Sequence, residues 1–164
     1  MQRSSDLALL LARIGLAALF IPAGLRKLMD LASFTASLQK QGVPYADVLA
    51  PIGAGVEFVG AIAVLIGFQT RLAAVLMILF TLAATFIAHR FWEFEGPARQ
   101  MQQGQFFKNF GIVGGYFALW VSGSGRYAVD WRWRRDREAR APRESDDHPS
   151  LDFLSSDSNA RKRR

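Results

Sequence analysis

The chain has 164 residues, half of them hydrophobic, with a formal charge of +6 and no cysteine. Its apolar residues gather into long runs with no charged face, which excludes an ordinary soluble core and points to lipid as the solvent. The lack of cysteine excludes electron transfer through a disulfide, and two histidines, His89 and His148, are too few to ligate a pair of membrane haems.

Four apolar windows lie at about residues 7–25, 48–68, 72–88 and 106–122. Each is near the ~20 residues needed to cross a ~30 Å hydrocarbon layer. The predicted fold is therefore all-α, an integral membrane antiparallel four-helix bundle occupying residues 1–130. The first window is longer than the ~7–15-residue core of a secretory signal and runs into Arg26-Lys27, so it reads as a span rather than a leader. Helical spacing puts Arg13, Ala17, Phe20, Gly24 and Lys27 on one face, and Pro22 predicts a bend. Arg13 either belongs to that interior face or reaches the near interface with its own stem.

The second window places Glu57 halfway across the bilayer, where an acidic residue costs roughly 2.5–3.5 kcal/mol unless paired or protonated. Gly53, Glu57, Gly60, Val64 and Gly67 form one small-residue stripe that admits a close neighbour. In the third window Thr81, Thr85 and His89 lie four apart, and the run ends in HRFWEF, with Arg90 and Trp92 expected at the headgroup layer. The fourth window aligns Lys108, Gly111, Gly115, Ala118 and Ser122, and it opens with Lys108-Asn109. Trp120, Tyr127 and Trp131 are expected at the opposite interface, although Trp120 also suits packing between helices.

Four spans put both termini on one side. Arg3, Arg71 and eleven basic residues from Arg126 onward share that side, which makes both termini cytoplasmic. Residues 131–164 are rich in arginine, aspartate and serine and are predicted to be a disordered basic tail, either solvated or resting on anionic headgroups. The positive charge thus serves topology, and no nucleic-acid-reading motif accompanies it.

In that topology Lys27, His89, Lys108 and Asn109 converge at one depth, with Glu57 deeper. Two lysines, an imidazole and an amide above a buried carboxyl suit an anionic or quinone-like head group. They equally suit an ion-pair network that fixes helix packing.

The segments GLRKL in the first window, GAGVEFVG at Gly53–Gly60, TRLAA at Thr70–Ala74, HRFW at His89–Trp92, KNFGIVGG at Lys108–Gly115 and GSGRYAVD at Gly123–Asp130 follow one another in an order that resembles the DoxX family. The resemblance covers Arg13 to Asp130 and implies a four-span protein of the bacterial cytoplasmic membrane. It also implies links to thiosulfate–quinone electron transfer or to oxidative-stress oxidoreductase complexes. Family motif positions fall on Glu57, His89, Lys108 and Asn109. Where many relatives carry His-Gly before the first-helix lysine, this chain has Ala23-Gly24, which argues against a mechanism needing a second imidazole.

The chain shows no flavin, nicotinamide or metal-binding pattern, so a redox role needs partner proteins to deliver electrons, with quinone as the cofactor class. The alternative is a scaffold or assembly subunit. Transport of a small anion or proton fits less well, since a single four-helix chain has little room and shows no inverted repeat, though a homo-oligomer would add room.

Overall fold

A computed structural model describes residues 2–140, and all their regular structure is helical: α1 (Gln2–Met29), α2 (Leu31–Lys40), α3 (Ala46–Ile66), α4 (Thr70–Ala88), a 3₁₀ turn (Phe91–Glu93), α5 (Gly96–Ser122) and α6 (Val129–Arg140). α1 packs on α3, α3 on α4, α4 on α5, and α5 touches α1. Among the described residues, three stretches are long and apolar enough to cross a membrane: Ser4–Met29, Ala46–Ile66 and Thr70–Glu93. α5 has 27 residues but begins with the polar run GPARQMQQGQ, so its apolar part is confined to its later two-thirds.

The polarity of the fold is inverted relative to a soluble protein. No more than 33% of any of the three spanning windows is buried. Large apolar side chains such as Leu11, Leu19, Val59, Leu79 and Phe117 point outward. The buried set instead contains Ala17, Ala50, Ala54, Ala61, Ala73 and Ala74 together with Arg13, Glu57, Thr81 and Thr85. Lipid offers no hydrophobic reward for hiding leucine, so the interior goes to small residues that bring backbones together and to polar groups that must find partners.

Local sequence explains the boundaries. Pro22 lies inside α1 without ending it. α2, which apolar periodicity did not disclose, is started by Asp30, whose carboxylate accepts from Ser33 N at 3.1 Å. That bonding holds the Asp30 carboxyl below its ordinary value. α3 ends at Gly67, which is left-handed at φ 70° while Phe68 N donates back to Ala63 O at 2.9 Å. Gly67 is needed twice, because a Cβ there would also strike Ala128.

The segment expected to begin the disordered tail is helical as far as Arg140. It is docked rather than free: Trp133 meets the Phe68 ring edge-on at 5.6 Å, and Ala128 sits under Gly67. The rest of the predicted tail, 141–164, lies outside the described residues.

Candidate functional site

The predicted polar faces of α1 and α3 meet each other. Arg13, Ala17, Phe20 and Gly24 are buried and Lys27 is half-buried. At Gly24 the two backbones are so close that a Cβ would lie 2.9 Å from Phe58 N. This contact aligns Lys27 with Glu57, and Lys27 Nζ lies 2.5 Å from Glu57 Oε2. Glu57 is 3% exposed. The Lys27 side chain remains 31% exposed, so the pair joins the interior to the outside. The ammonium also lies 5.0 Å from the Phe34 ring of α2 and 5.9 Å from the Phe80 ring of α4, whose π faces favour a cation.

Behind the pair is a set of aromatic rings. Phe20 meets Phe80 edge-on at 6.5 Å and Tyr116 at 5.8 Å. Tyr116 is fully buried, and its hydroxyl has no hydrogen-bond partner. Thr81 Oγ1 is likewise buried and unpartnered. Buried hydroxyls without partners are uncommon because each forfeits a hydrogen bond, so two of them in one small interior need an explanation.

The other predicted site residues are divided between further contacts. Asn109 Nδ2 donates to Thr85 Oγ1 at 2.9 Å, and Thr85 Oγ1 donates to Thr81 O at 2.5 Å. His89 ends α4, with Nδ1 2.8 Å from Gln102 Oε1 on α5. Lys108 is exposed and donates to Gln105 on its own helix. The structure therefore joins Lys27 to Glu57 and Asn109 to Thr85, keeps His89 with Gln102, and leaves Lys108 on the surface.

Lys108 lies outside because the buried face of α5 is Phe106, Val113, Tyr116 and Leu119. The face expected to point inward is mostly exposed: Gly111, Ala118 and Ser122 are open, with nothing near a Cβ at Gly111, and only Gly115 meets a neighbour, Leu16 of α1, 3.4 Å from where its Cβ would be. Tyr116 was missed for this reason, although it follows Asn109 by seven residues and so shares its face. The HRFW residues take different partners, except that both aromatic rings share Phe106. His89 takes Gln102, Arg90 takes Glu93 at 3.1 Å and Gln41 O at 3.1 Å, and Phe91 and Trp92 pack on Phe106.

Arg13 belongs to neither group. Buried to 1% exposure, it donates from Nε to Val64 O at 2.9 Å and from the guanidinium to Leu65 O at 2.5 Å, Ser124 O at 2.8 Å and Tyr127 O at 3.1 Å. It thus satisfies carbonyls at the end of α3 and in the segment after α5, where helical partners run out. Asp130 does the complementary work. Its oxygens accept from Gln69 N at 2.7 Å, Thr70 N at 2.8 Å and Thr70 Oγ1 at 2.9 Å, capping α4 from a distant part of the chain.

The sequence matches the DoxX family over residues 8–90. It is 34% identical to the inner membrane protein YphA of Escherichia coli over 124 residues, which is 76% of this chain and 89% of that protein. It is also 34% identical to the inner membrane protein YqjF of Escherichia coli over 130 residues, 79% of this chain and 95% of that one. No solved structure matches.

Proposed function

Because the chain belongs to the DoxX family of integral membrane proteins, we propose that it is a quinone-interacting accessory subunit of a membrane redox system. It sits in the bacterial cytoplasmic membrane as an antiparallel four-helix bundle over residues 1–130, with both termini and the basic tail cytoplasmic. Two features support α5 as the fourth span. Its apolar part packs against α4 and α1, and Arg13 of α1 bonds both the end of α3 and the segment after α5. The basic residues near Arg71 and after Gly123 support the orientation.

The observation that carries the redox reading is the buried, unpartnered hydroxyl of Tyr116, linked through the rings of Phe20 and Phe80 to the half-buried Lys27–Glu57 pair; Thr81 Oγ1 is a second buried hydroxyl without a partner. These residues fit a quinone, whose flat ring suits aromatic neighbours and whose carbonyl oxygens need donors. A quinone supplies two-electron chemistry and takes up protons on reduction. Tyr116 Oη would donate to one carbonyl oxygen of a bound quinone. Lys27 Nζ holds a proton 2.5 Å from Glu57 Oε2, and its exposed side can recover one from water. Electrons come from a soluble or peripheral partner protein.

The test is quinone bound per protein after purification in mild detergent. Wild type and Lys108→Gln are expected to hold near-stoichiometric quinone, and Glu57→Gln and Tyr116→Phe to lose it. Quinone at the level of trapped lipid in all four sinks the redox reading.

A scaffold role is the second reading. It is favoured by the tight closure of the Lys27–Glu57 pair over the Gly24–Phe58 contact, a geometry complete without a ligand. Under it, co-purifying proteins persist unchanged in Glu57→Gln.

A further inference from the structure

At the end of the molecule marked by Arg13, the start of α4 and the docked α6 enclose a cleft of ≈ 300 Å³. Arg71 of α4 and Arg134 and Arg137 of α6 border it, together with Trp133, Ser122 and Ser124. None of the three arginines has a carboxylate partner within ion-pair distance among the described residues. Asp130 also borders the cleft, but its oxygens are occupied by Gln69 and Thr70. Ser124 is 3% exposed, and its hydroxyl has no partner.

Asp130 offsets one of these charges, but three guanidiniums without an ion-pair partner among the described residues still leave the concavity net positive and suited to an anion. Their planar forks match the oxygens of a phosphate, and Ser124 offers a neutral hydroxyl. The position of the cleft favours one source of phosphate. Leu72, next to Arg71, and Val121, next to Ser122, are exposed and apolar, so hydrocarbon contact begins where the cleft ends. Trp133, half exposed beside the arginines, has the amphipathic ring expected at headgroup depth.

We propose that this cleft binds the phosphodiester of an anionic glycerophospholipid, with its acyl chains along Leu72 and Val121. Basic pockets beside membrane helices suit such head groups. The assignment rests on the chain lying in a bilayer, and is independent of the leaflet and of any role for Glu57. Docking of α6 and lipid binding are then coupled, because α6 supplies two of the three arginines.

The test reconstitutes the full chain in bilayers of equal phosphatidylglycerol and phosphatidylcholine, extracts it in mild detergent and measures the retained lipid ratio by mass spectrometry. Wild type is expected to be enriched in phosphatidylglycerol. Arg71→Gln and Arg134→Gln should each reduce the enrichment roughly fivefold. Ser124→Ala, which removes no charge and no side-chain hydrogen bond, should reduce it less. Arg132→Gln with Arg135→Gln, on residues outside the cleft, should leave it unchanged.

Equal loss in that surface pair would overturn the site in favour of diffuse tail charge, and so would an unenriched wild type. Inorganic phosphate that binds wild type in pure phosphatidylcholine and strips retained phosphatidylglycerol would reassign the cleft to a soluble anion. Quinone content is read separately, so failure here leaves the redox proposal standing.

Discussion

The two ends of the molecule both bury charge, yet they treat it differently. Around Arg13 and Asp130 the side chains meet backbone groups at helix ends: Val64 O, Leu65 O, Ser124 O and Tyr127 O for the arginine, Gln69 N and Thr70 N for the aspartate. Such groups are present in any helical protein and need partners whatever its function. Around Lys27 and Glu57 the contacts are between side chains, with the unpartnered hydroxyl of Tyr116 in the same interior, whereas the unpartnered hydroxyl at the Arg13 end, Ser124, borders the cleft and not the capping bonds. In an apolar protein, a polar residue spent on helix ends is architecture, whereas polar residues that face one another with capacity left over are where chemistry is to be sought.

Arg13→Met should break this contrast most severely. It removes donors to four carbonyls, and a loss of at least about 3 kcal/mol is expected, since bonds from charged groups contribute about 1.5–3 kcal/mol each. Thermal unfolding in detergent reads it, and an unchanged midpoint would show that the carbonyls are satisfied without Arg13. At the other end, Glu57→Gln and Lys27→Met should each destabilise by about 1–2 kcal/mol. That is less than a fully buried pair would lose, because Lys27 can reach water. The double variant should recover part of the loss, with a coupling of about 0.5–3 kcal/mol in a double-mutant cycle. Strict additivity would mean that the two residues act separately.

Asp130→Asn sharpens the architectural half. The amide keeps one acceptor oxygen but not two, so a cost of about 1 kcal/mol is expected, the size of a lost helix cap. Hydrogen exchange should accelerate at Gln69 and Thr70 before it does so deeper in α4.

The smallest effect concerns Asp30, an exposed cap that belongs to neither end. Its folded pKa is depressed by bonding to Ser33, so its contribution is present above the unfolded carboxylate value and is lost as pH falls through the lowered folded one. Chemical shifts of Ser33 and Phe34 should report fraying of α2 on acidification while α1 and α3 stay intact. Uniform loss across all helices would assign acid sensitivity elsewhere.

The face of α3 was legible because Glu57 is too costly to leave in lipid and so identifies its own interior side, whereas Arg13 and Lys27 could each have reached an interface by their own stems and are fixed inward by Val64 O, Leu65 O, Ser124 O and Glu57. The same logic misled on α5. Lys108 lies at the mouth of the apolar window, where a lysine reaches water from any side, so it carries no information about the inward face. Its glycine neighbours suggested close packing all along one face, but only Gly115 meets a partner, Leu16, while Gly111 faces outward at little cost and Tyr116 fills the space beside Phe20. α6 was hidden for another reason. A composition of arginine and aspartate reads as tail, and nothing local reveals that Asp130 has Thr70 as its partner 60 residues back.

The bonds of Arg13 span 51 to 114 residues of chain. A ribosome delivers α1 first and the Ser124–Tyr127 segment near the end, so an arginine enters the membrane long before half its acceptors exist. Until then it must be accommodated by water, by lipid phosphates or by the insertion machinery. Truncation before residue 124 therefore leaves an early helix with an unsettled charge, a signal by which a half-made chain is distinguishable from a finished one.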